Sequence, residues 1–178
     1  MCESLQGGYP PDVGLMPVEI ALFQPDQAGN VGAAARLAAC LDLRLHLIEP
    51  CGFPLDDQRM RRAGMDYLDL AALCRHADWP AFLRWRAGSD PPRRLVLLST
   101  QATQRYDRFA FRAHDILLLG SESGGVPEDV RAQADQQVRI PMRPSARSLN
   151  VVVAAAMVAG YAATQTGLLD RIERERMT

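Results

Sequence analysis

Two short runs that are apolar at every position, Leu95-Val96-Leu97-Leu98 and Ile116-Leu117-Leu118-Leu119, constrain this chain more than any other feature. A strand with one solvated face alternates apolar and polar residues, whereas an unbroken run bounded by polar or glycine-rich sequence marks a strand covered on both faces, as in parallel sheets. Further strand signals lie at residues 18–23, 43–48 and 137–141. Helical stretches fall between and after them: from Asn30 onward, a short polar one at 56–64, pieces at 70–74 and 79–85, one opened by Val126-Pro127-Glu128-Asp129, and an alanine-rich one at 149–166. Strand and helix alternate, which predicts an α/β fold with a mostly parallel sheet. With 178 residues, 48% of them hydrophobic, one core is expected and two are not. Residues 1–17, rich in glycine and proline, are expected to be a flexible tail, 18–167 the domain, and 168–178 a C-terminal tail.

Composition excludes several chemistries. The chain contains no lysine, so all 20 of its basic residues are arginine; a phosphate-binding P-loop lysine and Schiff-base catalysis are ruled out together. Cys2, Cys40, Cys51 and Cys74 form no Cys-x-x-Cys pair, and His46, His76 and His114 look scattered. Neither a metal centre nor a disulfide framework is expected, and the thiols read as reduced and mostly structural. No apolar run approaches the roughly 18 residues of a membrane span, and the start has neither a basic stretch nor an apolar signal region. The expected location is the cytoplasm, with no membrane partner. The formal charge of −1 means that nucleic-acid binding has to come from local patches.

Three segments carry chemistry. Gly29-Asn30-Val31-Gly32 leads into a helix whose only charge up to Leu41 is Arg36; Asn30 suits an N-cap, and free N–H groups beside glycines suit an anion. The helix looks apolar almost all round, so it is expected to be buried, with Arg36 either functional or else paired with a carboxylate or snorkelling to the surface. Gly29 and Gly32, with Glu49 about 20 residues on, partly match a dinucleotide-binding fingerprint, but Gln27 stands where its first glycine belongs. The second segment, Gly120-Ser121-Glu122-Ser123-Gly124-Gly125, follows a buried strand; its glycines serve a ligand or only a tight turn, and Glu122 orients a ligand or caps the next helix. The third, Ile140 to Asn150, holds Arg143 and Arg147 before a helix that Ser148 or Asn150 could cap, and Arg59, Arg61 and Arg62 form another basic cluster. Such clusters are solvated surface or phosphate-binding surface.

In this order the three segments resemble the three motifs of the SPOUT methyltransferases. Phe23-Gln24-Pro25-Asp26, the Ile48 to Pro54 stretch and Arg61-Arg62-Ala63-Gly64-Met65-Asp66-Tyr67 look like the segments marking tRNA (cytidine/uridine-34) 2′-O-methyltransferases. The resemblance spans about residues 18–167. It implies helices on both faces of the sheet, a C-terminal deep trefoil knot, S-adenosylmethionine as cofactor, tRNA as substrate, and a homodimer sharing RNA between subunits. It also implies cofactor contacts at Leu98, Gly120, Ile140, Ser148 and Leu149, with Asn30, Arg59, Arg61, Arg62, Arg143 and Arg147 toward RNA. Arg36 is then the central catalytic residue. A guanidinium with pKa above about 12 is a poor base, so it is expected to orient the ribose and its phosphate, with Glu122 or the RNA phosphate receiving the proton. Ser121 and Gly124 stand where many relatives have proline and arginine or alanine. The alternatives are a related enzyme acting on ribosomal RNA or another tRNA position, a nicotinamide oxidoreductase, and a non-catalytic RNA-binding protein.

Overall fold

The computed structural model describes residues 18–55 and 71–177. Within them β1 (Glu19–Phe23), β2 (Arg44–Ile48), β3 (Ala72–His76), β4 (Leu95–Leu98), β5 (Ile116–Leu119) and β6 (Gln136–Val138) form one sheet in the order β3-β2-β1-β5-β4-β6. All five pairings are parallel. The helices are α1 (Ala28–Cys40), α2 (Trp79–Ala87), α3 (Glu128–Arg131), α4 (Val151–Gln165) and α5 (Leu168–Arg176).

Central position explains the unbroken apolar runs. Every residue of β1 and β5 is buried, because each strand is bonded on both edges and covered on both faces. Ile20, Leu22, Leu45 and Leu47 point into the layer formed with α1 and α4, while Ala21, Phe23, Leu95 and Leu97 point into the layer under α2 and α3. Helices on both faces are therefore present. Ala34, Ala35 and Ala38 of α1 share a core with Ala155, Ala159 and Ala162 of α4, small side chains that let two helices approach closely.

Several expectations need correction. Of residues 70–74, expected to be helical, Leu70 lies outside the described residues and Ala72, Leu73 and Cys74 belong to β3, which pairs with β2 from Arg44↔Ala72 to Ile48↔His76. An alanine- and leucine-rich stretch favours helix locally, but five residues of parallel pairing override that preference. Helix α1 starts at Ala28, not Asn30, and is buried on one side only: Gly29, Ala33, Arg36 and Cys40 lie along its exposed face. Small residues on that face had disguised the amphipathic pattern. The stretch read as a tail from 168 onward contains α5, entered through Gly167 at φ +71°; Leu168 is buried and Arg171 Nη2 bonds Asp42 Oδ2 at 2.8 Å. Residues 1–17, the expected helix at 56–64, and Arg59, Arg61 and Arg62 lie outside the described residues. Among the described residues no single helix is long and apolar enough to cross a membrane.

Candidate active site

Parallel strands send the loops after β1, β4, β5 and β6 to one edge of the sheet. The chain moves outward from β1 through β2 to β3 and then crosses to build the other half, so the strand order reverses between β1 and β5. Loops diverge at such a switch point and leave a crevice for ligands. A cleft of about 510 Å³ opens there, within the size range of small-molecule sites. Leu97, Leu98, Leu119, Val138, Ile140 and Leu149 give it apolar walls, and Asn30, Ser99, Glu122, Arg131, Arg147 and Asn150 supply polar groups.

The loop after β5 owes its shape to two glycines. Ser121 and Gly125 exchange two backbone hydrogen bonds of 2.9 Å, folding the loop back so tightly that a Cβ on Gly120 would sit 2.2 Å from the Gly125 carbonyl carbon. Gly125 itself has φ +68°, a conformation that L side chains rarely adopt. The tight turn and the pocket wall are thus one feature, and the two readings of this loop do not compete.

Glu122 reaches from that loop to the start of α1. Its Oε2 accepts the Asp26 N–H at 2.7 Å and its Oε1 accepts from Asn30 Nδ2 at 2.6 Å. Asn30 Oδ1 accepts from Asn150 Nδ2 at 3.0 Å, and Asn150 Oδ1 caps α4 by accepting from Val152 and Val153 N–H. One chain of hydrogen bonds thereby joins all three motif segments. Asn30 is not the N-cap expected: Gln27 holds that position without a side-chain cap bond, and the Asn30 N–H is bonded to Gln27 O at 3.1 Å. The anion that a helix N-terminus favours is supplied here by Glu122. Nor does Glu122 cap the next helix, since α3 has Pro127 at its N-cap position and no side-chain cap bond.

Asp26 closes the arrangement from the other side. Its Oδ2 accepts Ser123 N–H at 2.9 Å and Ser123 Oγ–H at 2.6 Å, and these bonds hold its carboxyl below the usual aspartate range. The loop after β2 leans on the same turn, with Gly52 N–H bonded to Pro25 O at 3.0 Å. In that loop burial, then the Glu49 carboxylate, pushes the Cys51 thiol up to about 11, so it is a poor nucleophile.

Of the residues singled out from sequence, the cleft gathers Asn30, Leu98, Gly120, Glu122, Ile140, Arg147, Ser148 and Leu149 in its lining. Arg36 and Arg143 are exposed and line no part of it. Asp26, Asn150 and Arg131 were missed as site residues. Asp26 lies in a motif segment that gives it no role of its own, Asn150 reads from sequence only as a cap, and Arg131 has no local signal; its Nη1 bonds Ser99 Oγ at 3.0 Å across 32 residues of sequence.

A second polar cluster lies under α2. The histidines that look scattered are not: parallel pairing of β2 and β3 sets His46 Nδ1 3.0 Å from His76 Nε2, while His46 Nε2 is 2.6 Å from Glu19 Oε2. Arg93 Nε donates to Glu19 Oε1 at 2.8 Å and its guanidinium lies 5.1 Å from the Trp85 ring centre. Burial alone would raise the Glu19 carboxyl, but the His46 hydrogen bond and the His46 and Arg93 charges outweigh it and hold it at about 2. Burial lowers His46, and burial with repulsion from His46 brings His76 to about 4. Donor and acceptor roles close if each imidazole is neutral with its proton on Nε2. His46, Cys74 and His76 bring ligand atoms within 4.8 Å of one another, but both His46 nitrogens are engaged in these bonds and Cys74 is disulfide-bonded rather than a free thiol as expected.

Residues 17–160 match the model of the SpoU rRNA Methylase family. A protein of Beijerinckia indica named tRNA (cytidine(34)-2′-O)-methyltransferase is 56% identical over 153 residues, covering 86% of this chain and 94% of that one. A solved structure described as giving structural insights into the 2-OH methylation of C/U34 on tRNA superimposes with a TM-score of 0.77 at 37% identity, over 85% of this chain and 97% of the other. The methyltransferase AviRb of Streptomyces viridochromogenes, solved in complex with AdoMet, matches with a TM-score of 0.74 at 26% identity, covering 86% of this chain and 61% of that one.

Proposed function

The chain belongs to the SpoU rRNA Methylase family, and on that premise we propose that it methylates the ribose 2′-hydroxyl of the wobble nucleotide, position 34, of tRNA. The identity of 56% to a relative named for that reaction supports the substrate. The observation that carries the mechanism is Glu122, fixed at both oxygens by Asp26 and Asn30 on the wall of the cleft.

The residues fit S-adenosylmethionine. Apolar walls at Leu98, Ile140 and Leu149 suit an adenine, polar groups at the rim suit an amino-acid tail, and a lone carboxylate with no His or Cys in the lining offers no metal-ligand set. When bound, this cofactor supplies an electrophilic methyl on sulfur, and transfer leaves a neutral thioether. Leu98, Gly120, Ile140, Ser148 and Leu149 hold it. Glu122, with a lone pair left on each oxygen, accepts the hydrogen bond of the 2′-hydroxyl and takes its proton at Oε. Arg36 works on the RNA side, orienting ribose and phosphate and stabilising negative charge as it develops. Arg147, Arg143 and the 59–62 arginines contact RNA phosphates.

The segment 140–150 returns from β6 to line the same cleft as the loops after β4 and β5, which supports the family's deep trefoil knot in the C-terminal part. Leu149, Val153 and Met157 are exposed at one-turn spacing, and Leu149 also lines the cleft. That stripe supports a homodimer whose seam borders the site. A substrate made and used inside the cell supports a cytoplasmic location.

Mass mapping of tRNA and ribosomal RNA from cells with and without the gene tests the substrate: loss of the 2′-O-methyl at position 34 alone is expected, and loss only at another site overturns the reading. In calorimetry S-adenosylhomocysteine is expected to bind and NAD is not, transfer is expected to persist in EDTA, and Val153→Glu is expected to yield a monomer on sedimentation; the opposite result in any of these overturns the corresponding part of the reading.

A further inference from the structure

We propose that Asp26 is a positioning residue for methyl transfer, acting through Glu122; this rests on the role given to Glu122 above. The two residues form a reciprocal clasp across the switch point. The Asp26 N–H donates to Glu122 Oε2 at 2.7 Å, and the Ser123 N–H, one residue beyond Glu122, donates back to Asp26 Oδ2 at 2.9 Å, reinforced by Ser123 Oγ–H at 2.6 Å. Neither half is a local contact, since the partners are 96 and 97 residues apart in sequence.

The clasp answers a mechanical need. Glu122 sits in a loop whose only internal fastening is the Ser121–Gly125 pair of backbone bonds, supplemented by Ser121 Oγ. The carboxylate lies between those bonds, and Gly124 and Gly125 after it leave the backbone soft. A carboxylate that must meet a hydroxyl at hydrogen-bond distance needs to be held to within about 0.5 Å. Asp26 supplies an anchor on each side of the Glu122 Cα: its amide on the side chain, its carboxylate on the next residue. Asp26 is itself held firmly. Gly52 abuts it so closely that a Cβ there would lie 3.0 Å from the Asp26 Cα, and Gln24, at φ +46° with its N–H bonded to Ile48 O at 2.9 Å, turns the chain sharply out of β1. The anchor therefore belongs to the sheet edge.

Both Ser123 donors go to one oxygen, Oδ2, so Asp26→Asn keeps an acceptor in place while Asp26→Ala loses it. Single-turnover methylation of tRNA, S-adenosylhomocysteine affinity by calorimetry and the thermal midpoint are measured for Asp26→Ala, Asp26→Asn, Glu122→Gln and the double variant Asp26→Ala/Glu122→Gln. Asp26→Ala is expected to lower kcat by about 10-fold, less than the roughly 100-fold that misplacing a reacting group by about 1 Å can cost because the Asp26 N–H still holds Glu122, with KM for tRNA and cofactor affinity within about twofold. Asp26→Asn is expected to stay within about threefold of the starting rate. In the Glu122→Gln background Asp26→Ala should change the rate by less than about twofold, because residues acting as one unit are not additive. A full 10-fold loss in both backgrounds would mean a purely structural role and overturn the inference. Asp26→Ala at the unaltered rate beside a slow Glu122→Gln overturns it too, leaving the role of Glu122 intact. Glu122→Gln at the unaltered rate removes the role of Glu122 and this inference with it. If Asp26→Ala does not fold, Ser123→Ala carries the test, with about a threefold loss expected that again vanishes beside Glu122→Gln; no loss overturns the inference.

Discussion

The molecule holds two polar networks of similar make-up at opposite places. One joins Glu122, Asn30, Asn150 and Asp26 at the open edge of the sheet; the other joins Glu19, His46, His76 and Arg93 beneath α2. The second is sealed, with Glu19 2%, His46 0% and His76 4% exposed, and its geometry engages both Glu19 oxygens and both His46 nitrogens. The first borders a cleft, where Glu122 is half-buried in the lining. Strongly displaced pKa values are usually good pointers to function, yet here the sealed network has them, and Glu19 near 2 with His76 near 4 marks structure. On the role proposed for Glu122, what separates the two networks is access: Glu122 lines a cleft and Glu19 does not.

The largest effect expected from breaking this contrast is on stability. Glu19→Ala leaves Arg93 and His46 buried without their anion, which typically costs about 3–5 kcal/mol; urea unfolding should show that loss while the folded fraction binds S-adenosylhomocysteine normally. An equal loss of cofactor binding would erase the distinction between the two networks. Next comes Arg36, exposed on α1. Arg36→Ala should reduce single-turnover methylation by about 100-fold, with S-adenosylhomocysteine affinity kept. Arg36→Lys should restore little, since an ammonium lacks the planar fork. Retained turnover in Arg36→Ala would remove its catalytic role.

A gentler probe is pH. His76 is lowered from 6.5 to about 4, and His46 is lowered as well, so between those values the unfolded chain binds more protons than the folded one. Stability is therefore complete above about pH 6.5 and declines as pH falls toward 4, with a slope of at most about 1.4 kcal/mol per pH unit for each group. Below 4.5 Glu19 adds its share, lost as pH falls toward 2. Urea midpoints at pH 7 and pH 5 measure this, and His76→Gln should flatten the difference; an unchanged slope would place the acid sensitivity elsewhere. Smallest of all, Asn150→Ala removes the cap of α4 and should cost about 1 kcal/mol, detectable as a lower thermal midpoint.

Read alone, the sequence determined the class of fold and the order of its working parts. The runs at 95–98 and 116–119 are legible because burial on both faces penalises any polar residue that finds no partner, and the glycines at 120 and 125 because a close approach and a positive φ admit little else. The motif segments were readable for the same reason: each imposes its demand within a few neighbouring residues. What lay beyond reach depends on partners far along the chain. Ala72–His76 is a strand only because β2 offers it five residues of pairing, and His46 and His76 become neighbours through that same pairing. Asp26 meets Ser123 across 97 residues and Asn30 meets Asn150 across 120. The exposed side of α1 was hidden because glycine and alanine satisfy a buried or a bare surface equally well. Local sterics and hydrophobicity leave a record in adjacent residues, whereas a hydrogen bond between loops exists only after parallel strands have carried their ends to the same edge of the sheet.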